Sequence, residues 1–110
     1  GIRDVLLSRY LALEHDAGAE RLFRQYRDDW SATFLWSRVL FDLRQGDQVA
    51  AKADLKTAMK CNRHVADFFS GKRKLPAELP ATYSPGSQEE AVLYVANFAE
   101  AWLASSDAME

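Results

Sequence analysis

The sequence predicts an all-α protein: helix-turn-helix units in tandem, closed by a C-terminal capping helix. Apolar residues recur at helical spacing through most of the chain. A shift of 32 residues lays Leu7 on Val39, Leu11 on Leu43, Ala19 on Ala51, Phe23 on Leu55 and Tyr26 on Ala58, so one packing pattern occurs twice. Devices that start and stop helices flank the periodic runs: Ser31 and Ser87 as N-caps, Gly46 and Gly71 as terminators. A pair of such helices cannot bury its apolar faces alone, so the units must stack on neighbours.

Bulk properties narrow the class. The chain has 110 residues, 48 % hydrophobic and 27 % charged, with three Trp, four Tyr and six Phe, enough bulk for the core of one soluble domain. A net charge of −2 offers no field to gather nucleic acid. One cysteine, Cys61, precludes an internal disulfide and suits a reducing, cytoplasmic setting. No apolar run approaches the roughly 20 residues of a membrane span, and the 110 residues given hold no charged-then-apolar segment of the signal type. Gly1 in place of methionine leads us to expect a tag remnant or, as the favoured reading, a fragment of a longer chain.

The first unit is expected over about residues 2–28. Its opening helix, 2–14, places Ile2, Val5, Leu6, Tyr10 and Leu13 on one face, with Leu7 and Leu11 widening the stripe. After a break at 15–18, Asp16 is expected to cap a helix that buries Ala19, Leu22, Phe23 and Tyr26 and turns Glu20, Arg21, Arg24 and Gln25 to water. The second unit spans about 31–62. Ser31 caps its first helix, and Trp30 just outside it faces Leu35 as a hydrophobic staple. Leu35, Trp36, Val39, Leu40 and Leu43 form the core stripe, Gly46 supplies a positive φ, and an Ala-rich helix follows with Ala51, Leu55 and Ala58 inward. Asn62 caps a short helix over 63–70, with Val65, Phe68 and Phe69 buried. A loop over 72–87 holds all three prolines, and Leu75, Leu79 and Tyr83 are expected to pin it to the surface. Ser87 and Glu90 form a capping box for the last helix, 88–104, whose stripe is Ala91, Tyr94, Val95, Phe98 and Trp102, broadened by Val92, Ala99 and Leu103; the tail beyond it frays.

Gly46-Asp47 followed by Ala51, Leu55, Ala58 and Asn62 resembles the second half of a tetratricopeptide repeat (TPR), which has a turn glycine, three apolar positions and an Asn-Pro or Asp-Pro exit. Arg63 stands where the proline is usual, and the preceding helix fits the Trp-Leu-Gly-Tyr pattern, with Trp36, Val39, Leu40 and Leu43, only if its turn is one residue short. Residues 28–102 also resemble the C-terminal part of bacterial TPR-like proteins related to the suppressor of tumorigenicity seven family. Asn62, Gly71, the basic-Leu-Pro run 72–76, Gly86, Glu90, Ala91 and Tyr94 hold the matching places. The resemblance implies an all-helical scaffold, an α-α superhelix of poorly defined biochemistry, and no catalytic residues to carry over. No cofactor is expected.

Helical repeats of this type bind peptides along the first helix of each unit. The residues left over there after core assignment, Phe34, Ser37, Phe41 and Arg44, fall on one face and form the candidate groove; the bland alternative is that neighbouring helices cover them. They do not supply the Lys, Asn and Arg of a carboxylate clamp. Lys72, Arg73 and Lys74 are a candidate for an anionic ligand such as RNA or phosphate, set against a solvated loop offsetting a helix dipole. Cys61 and His64, with the distant His15, are too few for zinc, and a small apolar residue at 61 already fits the repeat, so neither a metal site nor a Cys-His nucleophile is assigned. The acid pairs Asp28-Asp29 and Glu89-Glu90 sit at helix ends, where capping and dipole effects explain them. The expected function is a non-enzymatic protein-interaction scaffold. The contrasting readings are an appendage to a catalytic domain outside this chain and an anion binder at 72–74. An exposed repeat face could also stack on a second copy.

Overall fold

The computed structural model describes residues 2–104; the tail expected to fray lies outside the described residues. Among these there are six helices and no strand: α1 (Ile2–Ala12), α2 (Asp16–Gln25), α3 (Ala32–Arg44), α4 (Gln48–Cys61), α5 (His64–Phe69) and α6 (Gln88–Ala104). The four middle helices begin at Asp16, Ala32, Gln48 and His64, a regular interval along the chain.

The turns of the two hairpins are built alike, at positions 32 residues apart. After α3 the Gly46 N–H bonds to the Leu43 carbonyl and the Asp47 N–H to that of Asp42, with Gly46 at φ 76°. After α1 the Glu14 N–H bonds to the Leu11 carbonyl and the His15 N–H to that of Tyr10, with Glu14 at φ 58°. Both are Schellman closures, in which a left-handed residue lets two orphan carbonyls of the helix end find donors. Each turn then caps the next helix: His15 Nδ1 accepts from Gly18 N (3.0 Å) and Asp47 Oδ1 from Ala50 N (3.0 Å). Asp16 therefore does not cap α2 as expected. Its carboxylate reaches across to α3, where Arg44 Nη2 lies 2.8 Å from Oδ1 and Gln45 Nε2 donates to Oδ2 at 2.9 Å.

Central α3 packs on α1, α2, α4 and α6, while α6 folds back against α1, α3 and α5. The radius of gyration, 12.9 Å, matches the ~13 Å of a globular chain of this length; the array closes on itself rather than extending. Leu7 and Leu11 of α1, Ala19, Leu22 and Phe23 of α2, Trp36, Val39 and Leu40 of α3, and Ala91, Tyr94, Val95 and Phe98 of α6 fill the core.

Several inward assignments are corrected. On α1 it is Leu7 and Leu11 that face the core, and Ile2, Val5, Leu6 and Leu13 are exposed, because α6 approaches the Leu7 side. Trp30 is exposed, so it does not staple α3, although Ser31 Oγ does accept from Phe34 N (3.4 Å). Leu55, Phe69 and Leu103 also keep more than a third of their surface in water, although Phe69 lies against Trp102 with ring centroids 4.8 Å apart. Leu75, Leu79 and Tyr83 remain about half exposed, so apolar pinning is not what places the loop over 72–87. Polar bonds at its C-terminal end do that.

Those bonds converge on Asn62 and Glu90. The Asn62 carboxamide donates to Ser87 O (2.8 Å) and Glu90 Oε1 (2.9 Å) and accepts from His64 N (3.0 Å), so it caps the turn into α5 as expected. The Asn62 backbone carbonyl accepts from Trp36 Nε1 at 3.0 Å. Ser87 Oγ accepts from Glu90 N, the forward half of the capping box. The return half is displaced by one residue: Glu90 Oε1 accepts from Gly86 N (2.9 Å), and Oε2 accepts from Ala32 N at the start of α3 (3.2 Å). One buried carboxylate thus joins α3, the exit of α4, the loop and α6.

Candidate partner-binding groove

The α3 face expected to form the groove is interior. Phe34 packs against Phe23 (6.3 Å between centroids) and Tyr26 (5.6 Å), and is buried. Ser37 is wholly buried, its hydroxyl 3.0 Å from that of Tyr94 on α6. Phe41 is half-buried, its ring 5.4 Å from that of Phe23. Arg44, with only 6 % of its side chain exposed, binds the Leu11 carbonyl (2.8 Å) and Asp16. The structure does bring these four together on one face, but α1, α2 and α6 already cover Phe34, Ser37 and Arg44, and only Phe41 keeps an edge on an open groove. Two phenylalanines and a serine that can meet a tyrosine hydroxyl make a better interior than a wet groove.

An open groove exists one layer outward, between α1 and α6. It measures about 340 Å³ and is lined by Asp4, Val5, Ser8 and Arg9 of α1, Thr33 of α3, Leu93, Tyr94, Asn97 and Phe98 of α6, Glu90, and Tyr83 of the loop. Helical geometry explains the lining: residues 4, 5, 8 and 9 share one side of α1, and 90, 93, 94, 97 and 98 one side of α6. Ser8 Oγ donates to Asn97 O (2.9 Å), tying the two walls together. Aromatic rings form the floor, where Tyr94 stacks on Phe98 at 4.6 Å. Burial pushes the Tyr94 hydroxyl far above its ordinary pKa, against the pull of its bonds to Ser37 and Trp102. It stays a neutral hydrogen-bonding group. Trp102 Nε1 donates to it at 3.0 Å.

A second groove, about 330 Å³, lies between α2, α3 and α4, lined by Glu20, Phe23, Arg24, Arg27, Arg38, Phe41, Asp42 and Asp54. Arg38 closes one side, donating to the Phe23 carbonyl (3.2 Å) with its guanidinium 5.2 Å from the Phe23 ring centre. Asp42 and Asp54 face each other across the α3–α4 hairpin. Loss of solvent, then the bond to and repulsion from Asp54, raise the Asp42 pKa to about 8, with Arg38 pulling the other way. Asp42 Oδ2 is buried and meets no donor among the described residues, which disfavours the charged carboxylate and favours the protonated form. The pairing was missed in the sequence, since the two aspartates lie at different distances from the turn, four and eight residues from Gly46.

Lys72, Arg73 and Lys74 are exposed, and Arg73 leans back on α5, its N–H bonded to the Asp67 carbonyl (3.1 Å) and its Nε 4.0 Å from the Asp67 carboxylate. Cys61 is buried, and burial, then Glu90 and Asp29, raise its thiol to about 11. No group of three or more His, Cys, Asp or Glu side chains that could hold a metal occurs among the described residues. No helix among them is long and apolar enough to cross a membrane. Comparison of the chain with family models, with curated proteins and with solved structures finds no match.

Proposed function

We propose that this chain is a protein-interaction module: a TPR-like pair of helical hairpins, closed by its own C-terminal helix, that takes a peptide segment of a partner in the groove between α1 and α6. The observation that carries the reading is the groove itself. It joins an aromatic floor to a rim of hydrogen-bonding side chains held by three helices, the usual constitution of a recognition site. Asn97 offers both a donor and an acceptor to a peptide backbone, and Thr33 a hydroxyl of either sense. Arg9 and Asp4 set opposite charges on the α1 wall. Tyr83, half exposed on the loop, gives an aromatic edge of the kind enriched at interfaces. The TPR-like relationship is supported by the repeated Schellman turns and caps at 32-residue spacing.

The role is non-catalytic and belongs to a reducing, cytoplasmic setting. A thiol raised to about 11 is protonated at neutral pH and a poor nucleophile. The test is selection of binders from a displayed random-peptide library, repeated with Asn97→Trp and Val5→Trp, which fill the groove from opposite walls. Peptides that bind the wild-type chain and lose at least tenfold in affinity to both variants support the reading. Enriched peptides that bind both variants unchanged refute it.

A further inference from the structure

One helix is apolar on two opposite sides. Leu7 and Leu11 of α1 are wholly buried, yet Ile2, Val5, Leu6 and Leu13 keep 88 %, 64 %, 38 % and 70 % of their surface in water. At 100° per residue, Ile2, Leu6 and Arg9 run along a single line of the helix with Val5 beside it, directly opposite Leu7 and Leu11, and Leu13, one residue past the end of α1, continues the line because its N–H still bonds to the Arg9 carbonyl (3.0 Å). A soluble helix ordinarily turns a single apolar stripe to the core and polar residues to the opposite side, so a second apolar stripe facing water asks for a partner.

We propose that this outer face of α1 pairs with the same face of a second copy of the chain, antiparallel and across a two-fold axis. The pattern is self-complementary in that arrangement. An axis midway along the helix sets Ile2 against the partner's Leu13 and Leu13 against the partner's Ile2. It sets Leu6 against the partner's Arg9, whose aliphatic stem can lie on leucine while its guanidinium reaches the solvent edge. The area also fits. The four aliphatic side chains leave roughly 400 Å² exposed, inside the range for the largest patch of an ordinary monomer. Doubled by the two-fold and rimmed by the Arg9 stems, it comes to about the 1,000 Å² total at which specific association begins. The dimer stands independently of the groove reading, although Val5 and Arg9 border both surfaces, so the second copy would extend the α1 wall of the groove.

Sedimentation equilibrium of the 110-residue chain from about 1 to 500 μM tests this. The wild-type chain should associate to a dimer and no further. Ile2→Glu and Leu13→Lys, each at an exposed position on the end of the helix whose dipole favours the new charge, should leave the circular dichroism and the unfolding midpoint unchanged. Each should weaken association at least tenfold, since each strips two aliphatic contacts from the pair. The double variant should lose measurably less than the two single losses combined, because the antiparallel pairing sets each introduced carboxylate against an introduced ammonium. A wild-type chain that stays monomeric to 500 μM overturns the proposal and leaves the face to a different partner. Single variants that dimerise normally, or a double variant that loses as much as the two single losses combined, overturn the antiparallel two-fold.

Discussion

Replacing Glu90 by alanine should do more damage than any surface substitution, although no core packing is lost. Its carboxylate accepts from Ala32 N, Asn62 Nδ2 and Gly86 N, and the first two of these bonds are fully buried. A buried donor left without an acceptor costs about 1–3 kcal/mol. Gly86 N is only partly buried and can turn to water, so Glu90→Ala should cost on the order of 3–5 kcal/mol, a large share of the roughly 5–15 kcal/mol that holds a domain. Glu90→Gln separates the bonds. Its oxygen can still serve Asn62 and Gly86, while its amide meets Ala32 N as donor against donor, for a loss of roughly 1–3 kcal/mol. Urea unfolding followed by tryptophan fluorescence, with the slope m unchanged, measures both. A cost below 1 kcal/mol for Glu90→Ala, or a glutamine variant no better than alanine, would refute the idea that this carboxylate joins the two halves of the fold.

The repeated turn makes a second prediction. Glu14 holds the left-handed conformation that Gly46 holds in the other hairpin, so Glu14→Gly should raise stability by about 0.5–1 kcal/mol, seen as a melting point several degrees higher; an unchanged or lower one would count against it. The Asp42–Asp54 pair sets a pH dependence. The Asp42 pKa is raised from its ordinary 3.8 to about 8 on folding, so between those values the folded chain keeps a proton that the unfolded chain has released, and stability falls as pH rises. Allowing for solvent screening at a part-exposed site, Asp42→Asn should remove on the order of 1–2 kcal/mol of that slope between pH 5 and 9; parallel melting profiles for both chains would contradict the assignment. Phe34→Ala should cost about 3–5 kcal/mol as a core truncation, whereas Trp30→Ala should stay within about 0.5 kcal/mol. Equal effects in denaturant melts would contradict the burial of one and the exposure of the other.

Periodicity and end signals made most of the helical layout legible before any coordinates. Ser31, Gly46, Asn62 and Ser87 act where their chemistry says they should, because capping depends on neighbours within four residues. Which side of a helix meets which neighbour is a different kind of information. Helix α1 carries apolar stripes on opposite faces, and only the return of α6 decides that Leu7 and Leu11 go inward. The same return turned Ser37 from a rim residue into a partner for Tyr94 and moved the open groove to the seam between α1 and α6. Asp4, Ser8, Arg9 and Asn97 could not be singled out from sequence, since polar residues at helical spacing look alike whether they line a groove or face bulk water. His15 was within reach: it stands 32 residues before Asp47, and matching the repeat at its turns as well as its apolar positions identifies it as a cap.

The most direct test of the interaction reading is to record amide shifts of the isotopically labelled chain as a library-selected peptide is titrated in. Binding in the proposed groove should move Val5, Ser8, Arg9, Thr33, Leu93 and Asn97 together, with one saturation curve, and leave α4 still. Shifts confined to α4 or to residues 72–74, with the α1–α6 seam unmoved at saturation, would contradict it.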